Sequence, residues 1–183
     1  MKPTATIATP PKETGDNVLD FDALVLGEQA ALLRLARRLV WDAEEARDLV
    51  QTALADAYEK RRALKDPQAA GGWLRRILVS RAMSHLRRRR VWNVLREALD
   101  LAPIAARSPE EHFAGAERWH ALRRALKTLP VQQATAFSLR YLEGLDLDAI
   151  ATAMAISRGT VRIHLYRALQ KLKTLDALQG EAP

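Results

Sequence analysis

Apolar residues recur three or four positions apart through most of the chain, and no stretch alternates apolar with polar residues for the length of a strand. Leu24, Leu32, Leu35, Ala36 and Leu39 keep that spacing from Phe21 to Val40. Ala46, Leu49, Val50, Ala53, Leu54, Ala57 and Tyr58 resume it after Asp42, and Trp73, Leu74, Ile77, Leu78, Ala82 and Leu86 after Asp66-Pro67 and Gly71-Gly72. A chain with this period and no other folds as helices only. The expected fold is all-α: two small helical domains, 18–91 and 109–175, joined by a flexible linker, 92–108, around Pro103. A Thr- and Pro-rich tail, 1–17, is expected to be disordered and 176–183 to fray.

Local signals place the helix ends. Asp42 stands three residues before Glu45, a cap and a first-turn acid. The third helix is expected to end in the run Arg87 to Arg90, with room for a separate short helix over Trp92 to Ala102. Ser108, Pro109 and Glu111 form a capping box for a helix over Pro109 to Thr128 that would bury Trp119, Leu122, Ala125, Leu126 and Phe113. Pro130 opens another, carrying Ala134, Phe137, Leu139 and Tyr141 and stopping at Glu143-Gly144.

Charge is distributed unevenly. Six acids (Asp42, Glu44, Glu45, Asp48, Asp56, Glu59) face two bases (Arg47, Lys60) between Asp42 and Lys60, a local −4. From Arg61 to Glu97, eleven bases face Asp66 and Glu97, a local +9, and the whole 183-residue chain carries +7. Adjacent segments of opposite sign fit a protein that docks on one partner and grips nucleic acid with another surface. Cysteine is absent, which excludes disulfides and thiolate metal sites. No run of 18 apolar residues and no apolar leader core is present, so the expected location is the cytoplasm, without membrane insertion.

Two short helices, about Leu147 to Met154 and Gly159 to Leu172, flank Ala155-Ile156-Ser157, with Ser157 as N-cap of the second: helix-turn-helix spacing. Val161, Leu165, Ala168, Leu169 and Leu172 would hold the second helix inward, leaving Thr160, Ile163, His164, Arg167 and Lys171 outward and Arg158 and Arg162 near its start. Ile163 lies about 200° round the axis from Val161, where an apolar group could meet a thymine methyl or simply sit exposed.

These residues bring a family into view. Asp48-Leu49-Val50-Gln51, Trp73-Leu74-Arg75-Arg76-Ile77, His85-Leu86 with Arg87 to Arg90, Leu129-Pro130, Arg140-Tyr141-Leu142-Glu143-Gly144-Leu145, Ile150-Ala151 and Ile156 to Arg162 occur in an order that resembles the extracytoplasmic-function (ECF) group of sigma-70 relatives, from about Asp22 to Leu172. The resemblance implies a sigma region 2 type domain over 18–91 and a region 4 type helix-turn-helix domain over 109–175. It implies that Asp48, Leu49, Gln51 and Tyr58 bind core RNA polymerase. Leu64, Lys65, Trp73, Arg76, Ser80, Arg87 and Arg88 would open and hold −10 promoter DNA, with Trp73 favoured as core. Ser157, Arg158, Thr160, Arg162, Ile163, His164 and Arg167 would read −35 DNA. An anti-sigma factor is an implied partner; no cofactor, metal or small-molecule substrate is implied. Ser80 and Ser84 stand where the family often has Asn and Asp, Ala149 where Glu is common, and Ile163 and His164 where Ser and Arg are frequent, so the promoter sequence is this chain's own.

Two other classes compete. A stand-alone helix-turn-helix repressor or activator would account for the second domain but leave the acidic and arginine-rich helices without a task. An enzyme is not expected: His85, His112, His120 and His164 fall in separate segments without metal-ligand spacing, and no glycine-rich phosphate loop occurs. The pairs Glu44-Glu45 and Glu110-Glu111 suit helix first turns.

Overall fold

The computed structural model describes residues 21–99 and 116–180, which form seven helices and no strand. In the first unit α1 (Phe21–Val40), α2 (Ala43–Glu59) and α3 (Ala70–Ala98) pack around Leu32, Leu35, Leu49, Leu74, Leu78 and Val79. The alanines Ala36, Ala46, Ala53, Ala57 and Ala82 are buried among them and let the helix backbones approach closely.

Each boundary has a local cause. Trp41 ends α1 in the left-handed region, φ 60°, with its N–H donating to Arg37 O at 2.9 Å. A non-glycine residue there carries strain of about 1–3 kcal/mol, and packing of its indole on Trp119, 4.9 Å between ring centres, supplies the compensation. Asp42 then caps α2 by accepting from the N–H groups of Glu44 and Glu45, both at 2.9 Å. Between α2 and α3 the chain makes two 3₁₀ turns, Arg61–Ala63 and Pro67–Ala69, the second capped by Asp66. Leu64 is buried between them. Helix α3 starts so close to α1 that a side chain at Gly71 would come within 2.9 Å of Glu28 Oε1.

Helix α3 does not stop at the arginines. It runs 29 residues, about 43 Å, through Arg87–Arg90 to Ala98, and the separate helix expected from Trp92 is its last two turns. No breaker interrupts Arg87 to Ala98, and Val91, Trp92, Val94 and Leu95 are exposed on the continuation.

The second unit comprises α4 (Ala116–Thr128), α5 (Val131–Phe137) with a π-helical turn over Ser138–Leu142, α6 (Leu147–Met154) and α7 (Arg158–Gly180). The capping box at Ser108 and Phe113 lie outside the described residues. Two aromatics depart from expectation: Trp119 is 37% and Tyr141 51% exposed. Both still stack, Trp119 on Trp41 and Tyr141 on Phe137 at 4.8 Å, so each ring is covered on one face and wet on the other.

The two units pack on each other. Helix α6 lies across α3, and Ile150, Ala153, Met154, Leu139 and Val161 join one continuous core with Leu74, Leu78 and Val79. Arg38 of α1 donates to Leu142 O and to Glu143 Oε1, the latter at 2.6 Å. Arg90 Nη1 donates to Leu129 O at 3.1 Å.

Candidate nucleic-acid interface

Helix α7 is set at its angle by caps and by a buried stripe. Asp146 accepts from Ala149 N–H at 2.7 Å to start α6, and Ala155, φ 54°, ends it. Ser157 Oγ accepts from Thr160 N–H at 3.1 Å and bonds the Thr160 hydroxyl at 2.8 Å. Val161, Leu165 and Ala168 are buried, which turns Arg158, Arg162, Ile163, Tyr166, Arg167 and Lys171 to solvent. Ile163 is 51% exposed and answers to no packing partner in the core. Tyr166, 65% exposed, was missed in the sequence although it lies three and four residues after Ile163 and Arg162 and so on their face. Arg158 pairs with exposed Asp148 at 3.3 Å, an ion pair worth little in water and easily exchanged for a phosphate.

His164 is half-buried, and its Nδ1 is buried with no hydrogen-bond partner. Burial, and then the neighbouring Arg167 charge, hold its pKa below the ordinary histidine value. At neutral pH it is therefore an uncharged imidazole, able to donate or accept but adding no cation to the helix.

On α3 the helical period sorts the arginines. Four consecutive positions at about 100° each span roughly 300° of the circumference, so they cannot share a face. Arg87 and Arg88 are exposed. Arg89 turns inward to Glu45 Oε2 at 2.7 Å, beside His85 at 3.2 Å, while Arg90 reaches Leu129 O. Arg76, Ser80 and Arg87 fall within about 40° of one another, with Trp73 and Ser84 close beside them. Arg87 Nη2 meets Ser84 Oγ at 3.4 Å, and Trp73 is half-buried against the core. Lys65 is exposed in the loop before α3, whereas Leu64 is buried beneath it.

The outer face of α2 carries Asp48, Gln51 and Tyr58, all exposed, with Leu49 buried under them. Tyr58 packs edge-on against Phe21, 5.8 Å between rings, and the Arg61 guanidinium lies 4.0 Å over its face, a cation–π contact that no sequence signal announced. Asp56 points the other way, into a bidentate pair with Arg81 of α3 that lowers its pKa. Among the described residues no group of three His, Asp or Glu side chains could hold a metal ion, and no helix is long and apolar enough to cross a membrane.

A helix-turn-helix whose cationic second helix is exposed, beside a unit with an acidic helix and a basic one, defines the class of DNA-binding regulators. The chain matches the family model described as sigma-70 region 2 over residues 24–91 and that described as sigma-70 region 4 over 119–172. It is 36% identical over 156 residues to the RNA polymerase sigma-E factor of Streptomyces coelicolor, covering 85% of both chains. It is 30% identical over 155 residues to the ECF RNA polymerase sigma factor SigM of Mycobacterium tuberculosis, covering 85% of this chain and 76% of that one. Its fold is also that of the sigma factor RpoE of Bartonella quintana, crystallised with the anti-sigma factor NepR: TM-score 0.60, 24% identity, 90% of this chain and 100% of the other. The chain belongs to the sigma-70 family of RNA polymerase sigma factors, in its ECF group.

Proposed function

We propose that this chain is a dissociable initiation subunit that binds core RNA polymerase through the outer face of α2, melts and holds −10 DNA along α3 and reads −35 DNA with α7. The observation that carries the reading is the display of two oppositely charged exposed faces, Asp48 and Gln51 on α2 and Arg76, Ser80 and Arg87 on α3, on two helices packed together in one unit. The assignment is a polymerase- and −10-binding unit over 18–91, extended to Ala98 by the last turns of α3, and a −35 unit over 109–175, with the rest of the expected linker 92–108 between them. In it, Lys65, Arg87 and Arg88 neutralise phosphates, while Trp73 and Ser80 border the place of an unstacked base, whose extraction costs a few kcal/mol. Leu49 and Leu64 act from beneath, as props for the contacting surface. Ser157 and Thr160, bonded to each other, fix the start of α7, and Arg162, Ile163, His164 and Arg167 face the groove. The chain carries out no covalent step, works in the cytoplasm where polymerase and promoter are, and is held in reserve by an anti-sigma partner.

The packed arrangement must open for this task. Positions −10 and −35 lie about 25 base pairs apart, roughly 85 Å at about 3.4 Å per step. A compact chain of 183 residues has a mean diameter of about 40 Å, and its α3 helix spans about 43 Å, half of that separation. Arg38–Glu143, Trp41–Trp119 and the α3–α6 contact are therefore features of a resting form.

Titration with purified core polymerase tests the reading. Wild type should bind saturably, and the double change Asp48→Ala and Gln51→Ala should weaken binding at least about tenfold at unchanged melting temperature, with discrete start sites appearing on genomic DNA only when the protein is added. Tight binding to duplex DNA alone, with no binding to polymerase, would instead make it a stand-alone regulator.

A further inference from the structure

Trp41 stands where a tryptophan is out of character. It follows α1 in the left-handed region, φ 60°, a position that glycine takes without penalty and a residue with a Cβ does not. Groups of the first unit fix its backbone on both sides. The Trp41 N–H donates to Arg37 O at 2.9 Å, and Asp42, the next residue, caps α2 by accepting from Glu44 and Glu45 N–H, each at 2.9 Å. The turn therefore forms without help from the second unit.

The indole nevertheless serves the second unit. It takes no part in the core that α1, α2 and α3 build, and packs on a separate cluster, Leu126, Leu129, Phe137 and Ala168, all of the second unit. Among the described residues Trp41 is the one member of the first unit there. Trp119 of α4 lies against it, 4.9 Å between ring centres. Ala168 belongs to α7, so the indole is seated behind the helix whose outer side carries Arg162, Ile163 and Arg167. One turn earlier Arg38 grips the same unit elsewhere, donating to Leu142 O and, at 2.6 Å, to Glu143 Oε1. The last turn of α1 thus holds its neighbour at two places, by a ring in an apolar socket and by an ion pair.

A strained backbone persists where its surroundings over-determine it. The first unit makes no use of an indole at this turn, and none of the exposed faces of α2, α3 and α7 includes it. We propose that Trp41 is the plug of an intramolecular lock, with Arg38 as its second point, which holds the two units in the packed form and so restrains promoter engagement. The restraint rests on the reading that −10 and −35 DNA are held together only by an open chain; the lock itself does not. Because the plug sits behind α7, the packed chain keeps its −35 face free and loses only the reach to both elements. Apparent affinity for a whole promoter is then lowered by the fraction of chains that are open.

Trp41→Gly tests the lock, since it removes the indole and keeps the left-handed turn. The absence of cysteine allows spin labels at Arg34→Cys and Thr174→Cys in the full chain, one on each unit. Trp41→Gly should raise the ratio of long-distance to short-distance populations at least about tenfold, and Arg38→Gln by less. With core polymerase it should reach half-maximal transcription at a concentration at least about threefold lower, while binding to an isolated −35 duplex stays within about twofold of wild type.

An unchanged distance distribution would overturn the lock. So would loss of −35 binding, which would make Trp41 a support of α7. If Trp41→Gly does not fold, Trp119→Ala decides from the other side, because Trp119 is 37% exposed: opening sustains the lock, and wild-type distances overturn it. Opening with no gain in transcription would overturn the restraint. Failure of wild type and variants alike to bind polymerase, with the distance response intact, would remove the sigma reading and leave the lock standing.

Discussion

Helices α3 and α7 are both long and basic, yet their cations have different fates. On α3, Arg81 pairs with Asp56, Arg89 with Glu45 and Arg90 with a carbonyl of the other unit, so half of the run Arg87 to Arg90, uniform in sequence, is internal wiring. On α7, Arg162 and Arg167 are exposed on the half of the helix away from its buried stripe, Lys171 is exposed but reaches Thr128 O at 3.3 Å, and the ion pair near the helix start, Arg158–Asp148, lies at the surface. The difference shows that charge density does not identify a nucleic-acid surface. What identifies it is charge left over after the fold has used its share, and helical phase decides which residues those are.

The comparison breaks first at α7. Arg162→Ala and Arg167→Ala should each weaken promoter binding by about 1–3 kcal/mol while leaving the melting temperature unchanged, measured by fluorescence anisotropy on duplex DNA. If both bind as wild type does, with unchanged base preference, the exposed face of α7 is not the reader.

Adjacent arginines on α3 offer a sharper contrast. Arg88→Ala should reduce the salt slope of promoter binding by about 1 and leave stability alone. Arg89→Ala, one residue on, should keep the slope and lower unfolding stability by about 1 kcal/mol, because Glu45 is left with His85 as its remaining partner in this group. An identical response from the two variants would mean that their opposite orientations have no consequence.

The smallest effect concerns pH. His164 titrates below its ordinary value of about 6.5 in the folded chain, so between the two values the unfolded chain binds more protons. Stability therefore rises with pH through this window and is lost as pH falls below about 6.5, and His164→Gln should flatten that slope in denaturant titrations. Arg167→Ala should raise the His164 pKa by NMR, since the Arg167 charge contributes to holding it down. Asp56 acts at lower pH with the same sign: its depressed pKa makes the Arg81 pair stabilising above the ordinary carboxylate range and lost as acid protonates it.

Features that depend on neighbours a turn away were legible in the chain. The caps at Asp42 and Ser157, the turn at Ala155 and the outward place of Ile163 and Arg162 follow from the 3.6-residue period and from short polar side chains that reach the next N–H groups. The end of α3 was misjudged because arginines are good helix formers and no proline or glycine follows until after Ala98, so the expected stop had only a change of composition behind it. Trp119 and Tyr141 were misplaced because an aromatic at a core phase can still pack with one face only.

The sequence by itself determined an all-helical chain, the starts of its capped helices, the helix-turn-helix and the two charged faces, since all of these arise within a few residues of the groups that cause them. Only the tertiary structure decided that Arg89 and Arg90 serve the fold while Arg87 and Arg88 face water, that Arg38 meets Glu143 across 105 positions, and that the two units share one core. Those outcomes depend on which helices meet and at what rotation, and the free energy that selects the meeting is apolar burial summed over the whole surface, which no local pattern encodes.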